Sequence, residues 1–220
     1  MNKENLKRMR FIIPGIIIII YIIPSLSDNA QELLNIHLLF QALKWSDSIY
    51  IVLIVLLSGL YYILNIRWLV WKPFNDKVTE NIKNSLMRMC SLEISSEQWF
   101  TIKKDRTLMN VFYHLIGNDD SLASKSKDVM FNGLVWTTCF DFTILSATGG
   151  FVYLLLSIFS GNHHYIYISV TLYTLFYIGL AFSWLLTYRH INLSNGQLEV
   201  IKQRFKQNVD DQIKQALENL

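Results

Sequence analysis

The chain has 220 residues, of which 52% are apolar and 17% charged, and a net charge of +3. That is less charge than a soluble domain of this length usually carries. So small a net charge also argues against a nucleic-acid binder, and no direct nucleic-acid contact is expected. The two cysteines, Cys90 and Cys139, form neither a CxxC pair nor a zinc-spaced Cys/His cluster, so both are read as reduced thiols.

The apolar residues gather into four runs, the pattern of membrane-spanning helices. The first, residues 11–26 (FIIPGIIIIIYIIPSL), falls short of the about 20 helical residues that a bilayer core requires. It gains that length by extending back to Leu6, with Arg8 and Arg10 reaching for the headgroups. Pro14-Gly15 and Pro24 permit kinks near both of its ends. A basic start, an apolar middle and small residues after Pro24 also fit a signal peptide. In residues 27–48, Asp28 can cap an amphipathic segment carrying Leu33, Leu34, Leu38 and Phe40. That segment either lies on the outer leaflet or packs over the bundle.

Runs two, three and four cover residues 49–71, 134–159 and 165–188, each long enough to span with some tilt. Only residues 161–164 separate the last two, which predicts a tight antiparallel hairpin. Nineteen of the 20 basic residues fall on one side of this layout, and Lys44 alone falls on the other. The positive-inside rule then places both termini and residues 72–133 in the cytoplasm. Trp68, Trp71, Trp136 and Trp184 near the inner ends form an interfacial belt.

Outside the bilayer, residues 72–133 predict a helical insert. One helix runs from Asn75 to Met89, and a second from about Glu97 to Ile116 after a capping box of Ser95 and Gln98. The second stops at Gly117-Asn118, and a third short helix starts near Asp120. Leu108, Val111, Phe112 and Leu115 share one face of the second helix. The tail, residues 189–220, reads as one amphipathic helix with Ser194 as its N-cap. Its apolar face is Leu198, Ile201, Phe205, Val209, Ile213 and Leu217. That face either packs on the chain's own insert or serves self-association or a partner.

Charge inside a membrane is costly, so Arg67 and Asp141 stand out. They sit at similar depths in runs two and three and can form an ion pair. The pair's role is either to set helix register or to gate a polar path. Run three also carries Thr137, Thr138, Cys139, Thr143, Ser146 and Thr148. Run four has Gly179, Ser183 and Thr187 at four-residue spacing, a small-residue stripe suited to close helix contact. The stripe serves packing within one subunit, or else runs three and four face an oligomer axis with hydroxyls lining a path. No HExxH, GxSxG or Walker-type motif occurs. His163-His164 alone is too little for a metal site. No catalytic, cofactor or metal residue is therefore assigned, and the chain is not expected to be an enzyme.

The layout is four spans, an insert that includes RTLMNVFYHLIGNDDSLASKSKDVMFNGLVW (residues 106–136), and a tail helix. In it the chain resembles the small four-span membrane proteins of bacterial anti-phage defence operons, the Kiwa type among them. The resemblance covers most of the chain as architecture and carries no functional residue over. It implies a homo-oligomer in the inner membrane that works with a soluble cytoplasmic protein. The expectation is thus an all-α membrane protein with four spans and both ends inside. It would comprise a membrane hairpin (1–71), an insert (72–133), a second hairpin (134–188) and a tail helix (189–220). Such a subunit would sense a membrane event or anchor a cytoplasmic effector. The alternative is a channel or pore that depolarises the membrane.

Overall fold

A computed structural model of the chain describes residues 3–26 and 48–218. The expected amphipathic segment at residues 27–48 lies, but for its last residue, outside them. Among the described residues the chain is helical, with no strand. The helices are α1 (Lys3–Ile22), followed by a 3₁₀ turn (Ile23–Leu26), α2 (Ser48–Leu64), α3 (Arg67–Met89) and α4 (Ser96–Lys104). They continue with α5 (Thr107–Gly117), α6 (Asp120–Ser160), α7 (His164–Arg204) and α8 (Lys206–Glu218). The chain divides into an apolar unit, Met1–Trp71 with Leu134–Leu185, and a polar unit, Lys72–Gly133 with Leu186–Leu220.

Two helices are long and apolar enough to cross a membrane, over Ser124–Ser160 and His164–Arg204. The protein buries only a minority of their apolar windows. Phe151, Ile158, Phe159, Val170 and Phe182 stay open. Apolar surface on this scale needs lipid or another apolar partner to cover it. Gly161 takes a left-handed φ of 68° in the turn between α6 and α7.

The second apolar run does not continue to Trp71 as one helix. It breaks after Leu64 and resumes at Arg67, bent by 62°. Asn65 makes the break. It sits at φ 48°, a left-handed value that asparagine tolerates better than most side chains, and its N–H closes a turn on the Tyr62 carbonyl at 3.1 Å. If the bent pair counts as one span, the candidates number three. Helix α1 is not among them, because Lys7, Arg8 and Arg10 occupy its second and third turns.

The polar unit has its own core. Val78, Ile82 and Leu86 of α3, Ile102 of α4, Leu108, Val111, Phe112 and Leu115 of α5, and Leu122 of α6 are buried. Ser95 and Gln98 form the capping box that opens α4. The second insert helix is two helices, not one. It breaks at Asp105-Arg106, and the buried Lys83 ammonium donates to the carbonyls of Lys103 and Asp105 there. A cation on the last carbonyls of a helix satisfies groups that no further turn can reach. The Asp119 carboxylate accepts from Leu122 N at 2.9 Å and so caps α6. That helix is not short: it runs on through Gly133 to Ser160 as one piece with the third apolar run.

The tail departs from the sequence reading in two ways. Ser194 is no N-cap: it is buried in the middle of α7, which continues to Arg204. The break comes at Phe205 instead, with i to i−4 bonding kept on both sides, Phe205 N to Ile201 O at 2.8 Å and Val209 N to Phe205 O at 3.0 Å. Leu198, Ile201, Val209 and Ile213 are buried, and Phe205 and Leu217 half-buried. Helix α8 packs on α5. Four of the six residues of this face are thus covered within the chain, while Phe205 and Leu217 stay partly open.

Candidate functional site

The chemistry of the apolar unit gathers where α2 gives way to α3. Because Asn65 ends α2, Arg67 opens a new helix rather than closing the old one, and its side chain turns onto α6. Arg67 Nε lies 2.6 Å from Asp141 Oδ1, and Nη2 lies 2.7 Å from Oδ2. Two parallel N–H···O bonds make this a bidentate pair, stronger and more directional than a point-charge contact. Tyr61 Oη adds a third donor to Asp141 Oδ1 at 2.7 Å. Asp141 is 1% exposed, so its carboxylate has exchanged water for these three donors. The guanidinium also donates from Nη2 to Tyr62 Oη at 3.2 Å and lies over the Tyr62 ring, 5.1 Å from its centroid.

Tyr62 carries the cluster into α1. Its hydroxyl donates to the Arg10 carbonyl at 3.0 Å. Pro14, four residues on, has no N–H to give that carbonyl. The helix therefore passes Pro14 with the lost bond replaced from a neighbour, so that the freed carbonyl keeps a donor. The 3₁₀ turn at the other end follows the same rule. Pro24 cannot serve the Tyr21 carbonyl three residues back, and Tyr153 Oη of α6 donates to it at 2.6 Å.

Close helix contacts surround the cluster. A Cβ at Gly15 would strike the Ile54 carbonyl and the Ser58 hydroxyl of α2. Gly15 N donates to Ser58 Oγ at 3.0 Å. The stripe on α7 works alike. A Cβ at Gly179 would strike the Thr143 hydroxyl of α6, and Ser183 Oγ reaches Cys139 Sγ at 3.4 Å. Gly179, Ser183 and Thr187 are all buried, which is packing within one chain.

The hydroxyls of the third run are engaged in the helix itself. Thr143, Ser146 and Thr148 donate to the carbonyls of Cys139, Phe142 and Ile144 at 2.7, 2.7 and 2.9 Å. With Ser146 donating there, Tyr21 Oη is the donor in their 2.7 Å contact. Beside these groups runs an apolar cleft of about 340 Å³ between α1, α2 and α6, whose walls include Ile18, Leu57, Leu60, Tyr61, Leu145 and Val152.

Sequence reasoning paired Arg67 with Asp141 and missed Tyr61, Tyr62, Asn65, Tyr21, Ser58 and Tyr153. Some signal was present. Each proline in the first run leaves a carbonyl needing a donor, and Asn65 is the polar interruption of the second run. Both thiols are free, and among the described residues no group of three His, Cys, Asp or Glu side chains is placed to hold a metal. No protein-family model, curated protein or solved structure matches the chain.

Proposed function

We propose that the protein is a multi-pass subunit of the inner membrane, with four spans and both ends in the cytoplasm. It senses a membrane event or anchors a soluble cytoplasmic effector, in the setting of bacterial anti-phage defence that its architecture resembles. It self-associates through lipid-facing helices. The observation that carries this reading is the closure of the membrane unit's polar groups on one another. Asp141 is saturated by Arg67 and Tyr61, and the hydroxyls of Thr143 and Ser146 are buried and spent on helix carbonyls. Such groups hold helices in register and line no aqueous path, which favours a sensor or anchor over a pore. Closed in this way, the clamp ties the α2–α3 break to α6. A membrane sensor needs a two-state element, and the clamp is the element this reading assigns to that role.

With most of the tail face buried, the partner surface moves to the exposed aromatics of the polar unit. Phe100 on α4 is 69% exposed and Tyr113 on α5 is 62% exposed. Exposed aromatic side chains are the common anchors of protein interfaces. The test is affinity purification of the full chain from its own membranes, compared with the Phe100→Asp/Tyr113→Asp variant. A soluble protein recovered in fixed proportion with the wild type and lost with the variant supports the reading. Equal recovery with both removes these residues from the interface. Ion conductance in liposomes of the pure protein, with no partner recovered, replaces the anchor by the pore.

A further inference from the structure

The cleft beside the clamp has a shape that the sequence does not announce. Its wall on α6 runs from Leu145 to Leu156, about 16 Å along the helix. An elongated apolar cleft of this length suits an extended polymethylene chain laid along the helix. The walls are almost wholly apolar, and their rim is open: Leu60 is 56% and Val152 46% exposed.

One end of the cleft is polar. Tyr61 lines both the cleft and a small recess formed with Tyr62, Asn65 and Arg67. The contacts of Arg67 use Nε and Nη2, and Nη1 keeps its two donors without a partner among the described residues. Next along α3, Trp68 and Trp71 have ring centroids 5.5 Å apart, and Trp71 lies 6.0 Å from Trp136. Trp68 is 43% exposed, and exposed tryptophans favour the headgroup region, the depth at which a lipid phosphate is found.

We propose that this cleft binds one membrane phospholipid, an acyl chain lying along α6 and the phosphate meeting Arg67 Nη1. The site rests on the membrane-sensing reading and deepens it, because the sensed quantity becomes lipid occupancy. A phosphate at Nη1 draws on the same guanidinium that holds Asp141, so filling the site weakens the clamp across the α2–α3 break.

The test uses the full-length protein reconstituted in vesicles of phosphatidylglycerol and phosphatidylethanolamine, extracted in mild detergent and weighed by native mass spectrometry. One retained phospholipid per chain is expected. Leu60→Trp and Val152→Trp fill the cleft from two different helices at open positions, and each is expected to cut retention at least tenfold with elution volume unchanged. If one variant misfolds, the other still decides. Palmitate should displace the lipid far more weakly than a phospholipid does, since it lacks the phosphate. No retained lipid in the wild type, equal retention in a folded tryptophan variant, or equal displacement by palmitate overturns the site. Retention is read on the purified chain alone, so its failure leaves the partner experiment standing, and the reverse holds too.

Discussion

The Tyr62 hydroxyl donates to the Arg10 carbonyl at 3.0 Å, the carbonyl that Pro14 leaves without a helical donor. The two features are coupled, since the hydroxyl is needed only because of the proline. Tyr62→Phe removes that donor and should cost about 0.5–1.5 kcal/mol, the net worth of a typical hydrogen bond. In a Pro14→Ala background an N–H is restored and the same change should cost much less. A double-mutant cycle of unfolding in detergent measures the difference, and additive costs would show no coupling.

The bidentate Arg67–Asp141 pair predicts an asymmetry between single and double replacement. Asp141→Leu leaves a guanidinium half-buried beside apolar side chains, and should destabilise by about 3–5 kcal/mol. Arg67→Met with Asp141→Leu removes both charges, and should lie close to the wild type. Chemical unfolding of the three proteins decides. Should the double variant be as unstable as the single one, the pair contributes more than mutual neutralisation.

Glycine positions separate close contact from open space. Gly179→Ala should cost about 1–3 kcal/mol, because its Cβ meets the Thr143 hydroxyl. Among the described residues nothing lies within 4 Å of a Cβ added at Gly59. Gly59→Ala should therefore be neutral or stabilise α2 by about 0.5–1 kcal/mol, the usual gain of alanine over glycine in a helix. Thermal midpoints measured side by side test both.

In the polar unit Gln197 is 1% exposed, and among the described residues neither its amide nitrogen nor its amide oxygen has a hydrogen-bond partner. Gln197→Met keeps the length of the side chain and removes the unpaired groups. It should raise stability by on the order of 1 kcal/mol. A fall in the unfolding midpoint would mean that the amide is satisfied in the working protein.

Burial pushes the Cys90 thiol above its ordinary range, and the Asp210 carboxylate beside it pushes the same way, against Lys206. The thiolate is the reactive form, so alkylation of Cys90 should become fast only at a pH above that of an open thiol. In Asp210→Asn the rate should rise at lower pH. A pH profile with a maleimide, in a Cys139→Ala background, reads this directly. An unchanged profile in Asp210→Asn removes the carboxylate from the account.

Much of the helical content was legible in the chain. Capping residues at Ser95 and Gln98 act locally, so their pattern could be read without the fold. The stop at Gly117-Asn118 and the helix start near Asp120 are local in the same sense. Breaks decided by distant groups were not legible. The end of α4 at Asp105 depends on a lysine that lies 20 residues earlier in α3. The continuation of α7 through Ser194 overrode a good local N-cap, because tertiary packing buries that turn. The tail's apolar face was visible as a face, but periodicity says nothing about what covers it.

By itself, the sequence determined that this is a helical protein with membrane-length apolar helices and that Arg67 and Asp141 are the charges set within its apolar runs. Composition and period carry that information, because the bilayer selects for apolar length and against unpaired charge. Only the tertiary structure decided the break at Asn65, the tyrosines that serve the carbonyls Pro14 and Pro24 leave open, and the cleft along α6. Each of these depends on which helix faces which, and that choice is made by long-range packing that no window of the chain contains.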